Sequence, residues 1–315
     1  MDNSVTSSSI SNRLTAKSST MSRRKLQKIR NYWLFLLPAL VIYTILWIMP
    51  ILFSLLVSLT IWNGIDINAI RFVGLRNYVN LLQDPVFFTS LRNNFTYMVL
   101  TVLFMPSIAF LVALLIEKFA KFKGFFRTTL FIPAILPMLV VAILFRWVYT
   151  ADGGIINSFL GFVGLETLQR HFLGDSSTAL YALVVVAIWR SMPFYMTIIL
   201  AGLQGVPSEL EEASFIDGCS FWQSIWYVVI PLIKPILTVV VGLVIIDGFR
   251  VFDLVFVMTG GGPNRSTEVM ATYIYSIAFR DFRLGYSTAL STVNILIVAF
   301  ISLVYFRFSM RSNTD

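Results

Sequence analysis

The chain has 315 residues, 57% of them hydrophobic and 13% charged, with a mean hydropathy of +0.80 and a formal net charge of +8. Ordinary soluble domains carry about 25% charged residues, so this composition excludes one and points to an all-α, polytopic membrane protein. A single cysteine, Cys219, excludes an intrachain disulfide, and the basic residues sit beside apolar runs rather than on the face of a soluble domain, so no nucleic acid partner is expected.

Residues 1–22 contain eleven serines and threonines and few large apolar side chains. With the basic residues that follow, they predict a disordered basic cytoplasmic tail over 1–30. A transmembrane helix needs about 20 mostly apolar residues. Residues 31–65, 93–116, 128–145 and 284–306 carry no charge, and two further apolar runs are interrupted, one by Arg190 and one by Asp247, Arg250 and Asp253. Six spans are expected, at about 33–60, 94–116, 128–149, 179–203, 228–257 and 285–307, within a permease domain of residues 31–310 and before a cytoplasmic tail at 311–315. The first run is too long and too bulky for a cleavable signal peptide, whose apolar core is about 7–15 residues, so it should stay as an anchor.

Lysine and arginine in short loops are retained on the cytoplasmic side. Arg23, Arg24, Lys25, Lys28 and Arg30 precede the first span, and Lys118, Lys121, Lys123 and Arg127 lie between the second and third. Both termini are then cytoplasmic, as is the loop 204–227. Pro38, Pro50, Pro106, Pro133, Pro137 and Pro193 lie in or beside spans, where each removes a backbone donor and bends or ends the helix. Such irregular helices suit a bundle that rocks during transport.

The loop 204–227 has its own chemistry. Ser208 with Glu211 three places on reads as a capping box, and Glu209, Glu211 and Glu212 set negative charge at the positive end of a helix dipole. A short helix over 209–217 is expected, ended by Gly218 in a left-handed conformation. Leu210, Ala213, Phe215 and Ile216 give it apolar surface. It could lie on lipid headgroups, but four carboxylates in nine residues are ill suited to an anionic inner leaflet. A protein groove rimmed by basic side chains fits better.

Asp247, Arg250 and Asp253 follow one another at i, i+3 and i+6, and so share a face if the span is helical there. A charge near the bilayer centre costs roughly 2.5–3.5 kcal/mol, so such residues form a self-satisfied ion-pair cluster or line a permeation path. Phe249, Phe252 and Phe256 flank them and could stack on sugar rings. Arg190 is expected to pair near the interface, with an acid on a partner as one option. Gly260-Gly261-Gly262-Pro263 cannot continue a helix and must open into a loop on the outer side. His171 stands alone, and no cluster has metal-ligand spacing, so neither a metal site nor a catalytic centre is expected.

Glu212, Ala213, Ser214, Gly218, Val228, Ile230 and Pro231 resemble the E-A-A-x3-G-x9-I-x-L-P signature of the membrane subunits of binding-protein-dependent ABC importers, with Ser214 at the second alanine. The run Phe252 to Pro263, then Thr267, Tyr273-Ile274-Tyr275, Ala278-Phe279 and Gly285 to Ala289, resembles the carbohydrate branch, of maltose and glycerol-phosphate type. Together they cover residues 30–310. The resemblance implies a type I importer permease with a MetI-like core, working with a second related permease, two ATP-binding-cassette ATPases and an extracytoplasmic binding protein in the plasma membrane of a prokaryote. It implies a coupling loop carrying Glu211, Glu212, Ala213, Asp217 and Gly218, in which Glu212 contacts the ATPase and Gly218 turns the chain. A binding-protein contact at Gly260, Gly261, Gly262 and Pro263 follows from it too. The chain has no G-x4-G-K-[ST] loop, so ATP and Mg should be bound by the partner ATPases, and no cofactor is expected here. The alternative is a stand-alone secondary transporter or ion channel, with Asp247, Arg250 and Asp253 as an ion site.

Overall fold

The computed structural model describes Lys25 and residues 27–311. The terminal tails, with Arg23 and Arg24, therefore lie largely outside the described residues. The chain divides into two compact units, Met1–Leu56 and Val57–Asp315.

The first unit holds most of helix α1, Gln27–Val57, in which an 18-residue stretch reaches a mean hydropathy of 2.5. Within it the hydrogen-bond ladder widens to a π-helical turn at Thr44–Ile48, and Met49 N–H reaches back to Thr44 O. Pro50 lies two residues beyond. A proline ring crowds the carbonyl four places before it, and a wider turn relieves that crowding.

The second unit opens with a two-stranded antiparallel hairpin, β1 (Thr60–Ile61) and β2 (Arg71–Phe72), in the register Thr60 to Phe72. Helix α2 (Arg76–Leu81) leads to α3 (Pro85–Phe119), where Asp84 accepts hydrogen bonds from Val86 N and Phe87 N and Pro85 fills the first turn. These caps start the helix well before the expected residue 94. The third apolar segment is two helices, α4 (Lys123–Ile135) and α5 (Met138–Val148), bent by 91° at Leu136-Pro137. The span expected over 128–149 is thus broken at one of its prolines: Pro137 biases Leu136 out of the helical region. After α6 (Ile155–Phe162) come α7 (Ala179–Gln204) and α8 (Ser208–Ile216).

The next long helix, α9, runs Phe221–Phe249 and not 228–257. It starts early because Ser220 and Gln223 form a reciprocal capping box, and a second π turn at Ile225–Val229 again precedes a proline, Pro231. Short helices α10 (Asp253–Met258) and α11 (Met270–Phe279) precede α12 (Leu284–Arg311). Among the described residues, five helices are long and apolar enough to cross a membrane, and six if α4 and α5 make one bent span.

The core forms where α3 and α7 meet, with α9 beside them. Ala109 and Ala113 on α3 are fully buried against Tyr195, Met196 and Ile199 on α7. A Cβ at Gly248 would lie 3.1 Å from Met98 Cα, so the missing side chain is what lets α9 approach α3. In lipid, where tails are as apolar as leucine, close approach through small residues and interhelical hydrogen bonds replaces the hydrophobic drive.

Candidate functional site

α9 ends at Phe249 with charged residues still to come, and that ending builds a cavity. Asp247 lies in the last turn, Arg250, Val251 and Phe252 form the break, and Asp253 opens α10. A cavity of about 330 Å³ collects Asp247, Arg250, Phe252 and Asp253 with Tyr97 and Thr101 of α3, and Arg190, Ser191 and Tyr195 of α7. Asp247, Arg250 and Asp253 are therefore gathered around a break and not along one helical face, since the helix does not continue through the three charges. They do not form the ion-pair cluster entertained above either. Among the described residues the ion pairs are Lys118–Glu211 and Lys123–Glu117. Asp247 instead accepts the Tyr195 hydroxyl at 2.6 Å.

Arg190 is held within the chain. Its Nε and Nη2 both donate to Leu136 O at 3.4 Å, at the carbonyl freed by the bend between α4 and α5. The three phenylalanines separate. Phe249 is 1% exposed and packs edge-on against Phe95 at 5.2 Å, so it has no free face for a sugar. Phe252 and Phe256 stack at 5.1 Å, and Tyr275 packs on both, at 5.4 and 5.0 Å. Of the two, Phe252 alone lines the cavity.

The expected capping box at Ser208 and Glu211 is absent. Pro207 holds the N-cap position without a side-chain bond, and Ser208 is already helical. Glu211 turns instead to α3, where Lys118 Nζ donates to both carboxylate oxygens, to Oε1 at 2.6 Å. Ser214 is buried, with its Oγ 2.7 Å from Ser224 Oγ on α9. The other end of α8 closes as the sequence predicts. Gly218 has φ +86°, Gly218 N–H reaches Phe215 O, and Cys219 N–H reaches Ser214 O, the paired bonds that finish a helix on a left-handed residue. With Glu211 and Ser214 facing inward, Glu209, Glu212, Ala213, Phe215, Ile216 and Asp217 face outward.

Gly260 and Gly261 have φ of +61° and +91°, and Thr267 Oγ1 donates to Gly262 O at 2.7 Å, so the loop ending at Pro263 is ordered. Gly260, Gly261 and Gly262 line a separate polar cleft of about 520 Å³ with Arg265, Glu268 and Arg280. Burial pushes the Glu268 carboxyl up, and the Thr272 hydroxyl with Arg265 and Arg280 only partly offsets it. Nearby, Asp84 accepts hydrogen bonds from the hydroxyls of Tyr273 and Tyr286. Its burial raises the carboxyl, but those two bonds and the Val86 and Phe87 amides outweigh it, leaving Asp84 below the usual aspartate value.

Residues 106–312 match the family described as binding-protein-dependent transport system inner membrane component. The chain belongs to this family of permeases. It is a multi-pass integral membrane protein and a transport component of an ABC transporter. It is 34% identical to the probable ABC transporter permease protein YurN of Bacillus subtilis over 278 residues, 88% of this chain and 94% of YurN. It is 36% identical to the arabinooligosaccharides transport system permease protein AraP of Halalkalibacterium halodurans, over 75% of each chain. The fold matches a chain in the crystal structure of a bacterial ABC transporter that imports alginate, with a TM-score of 0.79 at 23% identity, covering 91% of this chain and 99% of that one. The all-α permease fold expected from the sequence is therefore established, and a stand-alone carrier is not the family this chain belongs to.

Other residues that build the permease's site went unnoticed in the sequence. Asn94, fully buried, donates from Nδ2 to Gly248 O at 2.9 Å and accepts from Met270 N, thereby holding the broken end of α9. Asn93 beside it donates to Arg265 O and Glu268 O. The available signal was two adjacent amides at the edge of a charge-free run. A buried amide must find partners.

Proposed function

We propose that this chain is one of two related permease subunits that form the path of an importer for a carbohydrate: a sugar, an oligosaccharide or a related polyol. The observation that carries the reading is α8. It lies between two spans, is fastened from behind by Lys118–Glu211 and Ser214–Ser224, and turns Glu212, Phe215 and Ile216 outward. A helix so presented has the chemistry of a docking element: an apolar pair to fill a groove and carboxylates to meet its basic rim. Its occupant is one of two ATP-binding-cassette ATPases, which bind ATP and Mg, since this chain has no phosphate loop of its own.

On this reading the cavity is this chain's share of the translocation path. Two arginines, two aspartates and several hydroxyls balance in charge and suit a neutral polyhydroxylated solute better than an ion. The arabinooligosaccharide relative supports the same class. An extracytoplasmic binding protein delivers the solute to the face carrying Gly260 to Pro263. The complex sits in the plasma membrane of a prokaryote with both termini of this chain cytoplasmic, as the lysine distribution favours. The test is purification of the tagged chain in mild detergent, identification of what accompanies it, and an ATPase assay. A second permease and an ATPase, with hydrolysis lost in Glu212→Lys, support the proposal. A lone chain without ATPase activity overturns it.

A further inference from the structure

The last turn of α3 grips three other elements with two adjacent side chains. Lys118 holds Glu211 of α8. Glu117 accepts from Lys123 Nζ at the start of α4, at 2.6 Å, and from Gln204 Nε2 at the end of α7, at 3.2 Å. From this turn α3 continues as one 35-residue helix through Met105, Thr101 and Tyr97 on the cavity wall to Asn94, which holds Gly248 O, and Asn93, which holds the Arg265 carbonyl. The same helix, continuous through Pro106, therefore touches α8 near one end, the cavity in its middle and the outer loop toward the other.

α8 has two side-chain fastenings that point in different directions. Ser214–Ser224 ties it to α9, its own continuation in sequence, so that bond follows α8 wherever it goes. Lys118–Glu211 crosses 93 residues of chain to a separate helix. The pair is part-buried, its side chains 25% and 15% exposed, so it is screened less than an ion pair in open water. A protein seated over α8 would cover it further.

We infer that Lys118 is a positioning residue for coupling: through Glu211 it passes the displacement of α8 to α3, and so to the cavity wall. Glu211 then acts inward, toward this chain, while Glu212 faces the ATPase. The inference rests on the docking reading of α8 proposed above.

The experiment uses the complete importer in liposomes, measuring solute uptake and ATP hydrolysis side by side for the wild type, Lys118→Glu, Glu211→Lys, the exchanged pair Lys118→Glu/Glu211→Lys, and Lys118→Arg. Each single reversal is expected to keep ATP hydrolysis and to lower uptake per ATP by roughly 5- to 10-fold, while the exchanged pair and Lys118→Arg recover most of it. Recovery in the exchanged pair is a result that a purely structural role for Lys118 with Glu211 on the ATPase would not give. Unchanged uptake per ATP in both reversals, or an exchanged pair no better than the singles, overturns the inference while leaving the importer reading intact. A wild-type complex that hydrolyses no ATP overturns the importer reading and the inference with it. Should a reversal fail to insert, Lys118→Met decides the matter by the same ratio, with an unchanged value counting against the pair.

Discussion

Tyr195 on α7 donates its hydroxyl to Asp247 Oδ2 on α9 across 2.6 Å, and the two residues face solvent unequally. Tyr195 is 1% exposed, whereas Asp247 is reached by solvent. Asp247→Ala leaves a buried hydroxyl without its acceptor and should cost about 1–3 kcal/mol, while Tyr195→Phe leaves a carboxylate that water can satisfy and should cost about 1 kcal/mol. Thermal unfolding of the two variants in detergent checks the order, and equal losses would refute the asymmetry.

At Gly218 the constraint falls on the backbone alone. A Cβ there meets nothing within 4 Å, yet φ is +86°. Gly218→Val should therefore cost about 1–2 kcal/mol by conformation and displace the exposed end of α8, and Gly218→Asn should cost less. Insertion into the membrane should survive in both, and uptake should fall further in the valine variant. Uptake assays on membranes with matched amounts of protein measure it.

Asp84 joins the start of α3 to Tyr273 on α11 and Tyr286 on α12, and its carboxyl is held below the ordinary value of 3.8. A carboxyl lowered on folding contributes stability that is fully present above its unfolded value and is lost as pH falls through its folded one. The hub should thus be constant from neutral pH down to about 4 and weaken only below that. Asp84→Asn should flatten this acid limb in a pH series of unfolding temperatures. A wild-type decline beginning near pH 6 would contradict it.

Phe249 and Phe252 are three residues apart and should respond differently. Phe249→Ala empties a packed site and is expected to destabilise by about 3–5 kcal/mol. Phe252→Ala opens the stack with Phe256 on the cavity wall, and should raise the half-saturating solute concentration for uptake with a smaller loss of stability. Paired unfolding and uptake curves separate the two.

What the sequence made legible follows from which signals are local. Charge-free runs depend on composition alone, so the membrane class could be read directly, whereas the ends of the helices, set by caps and breaks, could not. A left-handed glycine after an acidic helix is equally local, and Gly218 closes α8 as expected. The capping box at Ser208 failed because Glu211 had a better partner 93 residues away, and nothing in the loop announces Lys118. Where α9 stops is likewise decided from outside, by Asn94 taking up the freed Gly248 carbonyl. Periodicity through Asp247, Arg250 and Asp253 could not foresee that. The corner at Leu136-Pro137 was visible as a proline, though not its 91° angle, which depends on what packs against both halves.

That corner is stiffened by a residue with a second employer. Arg190 gives Nε and Nη2 to the Leu136 carbonyl and at the same time faces the cavity. Only Nε–H and one Nη2–H go to Leu136, so a solute oxygen in the cavity would find other hydrogens of the same guanidinium to accept from. One guanidinium would thus brace the elbow of the third span and face the cargo at once, so a change at Arg190 would touch corner and cavity together.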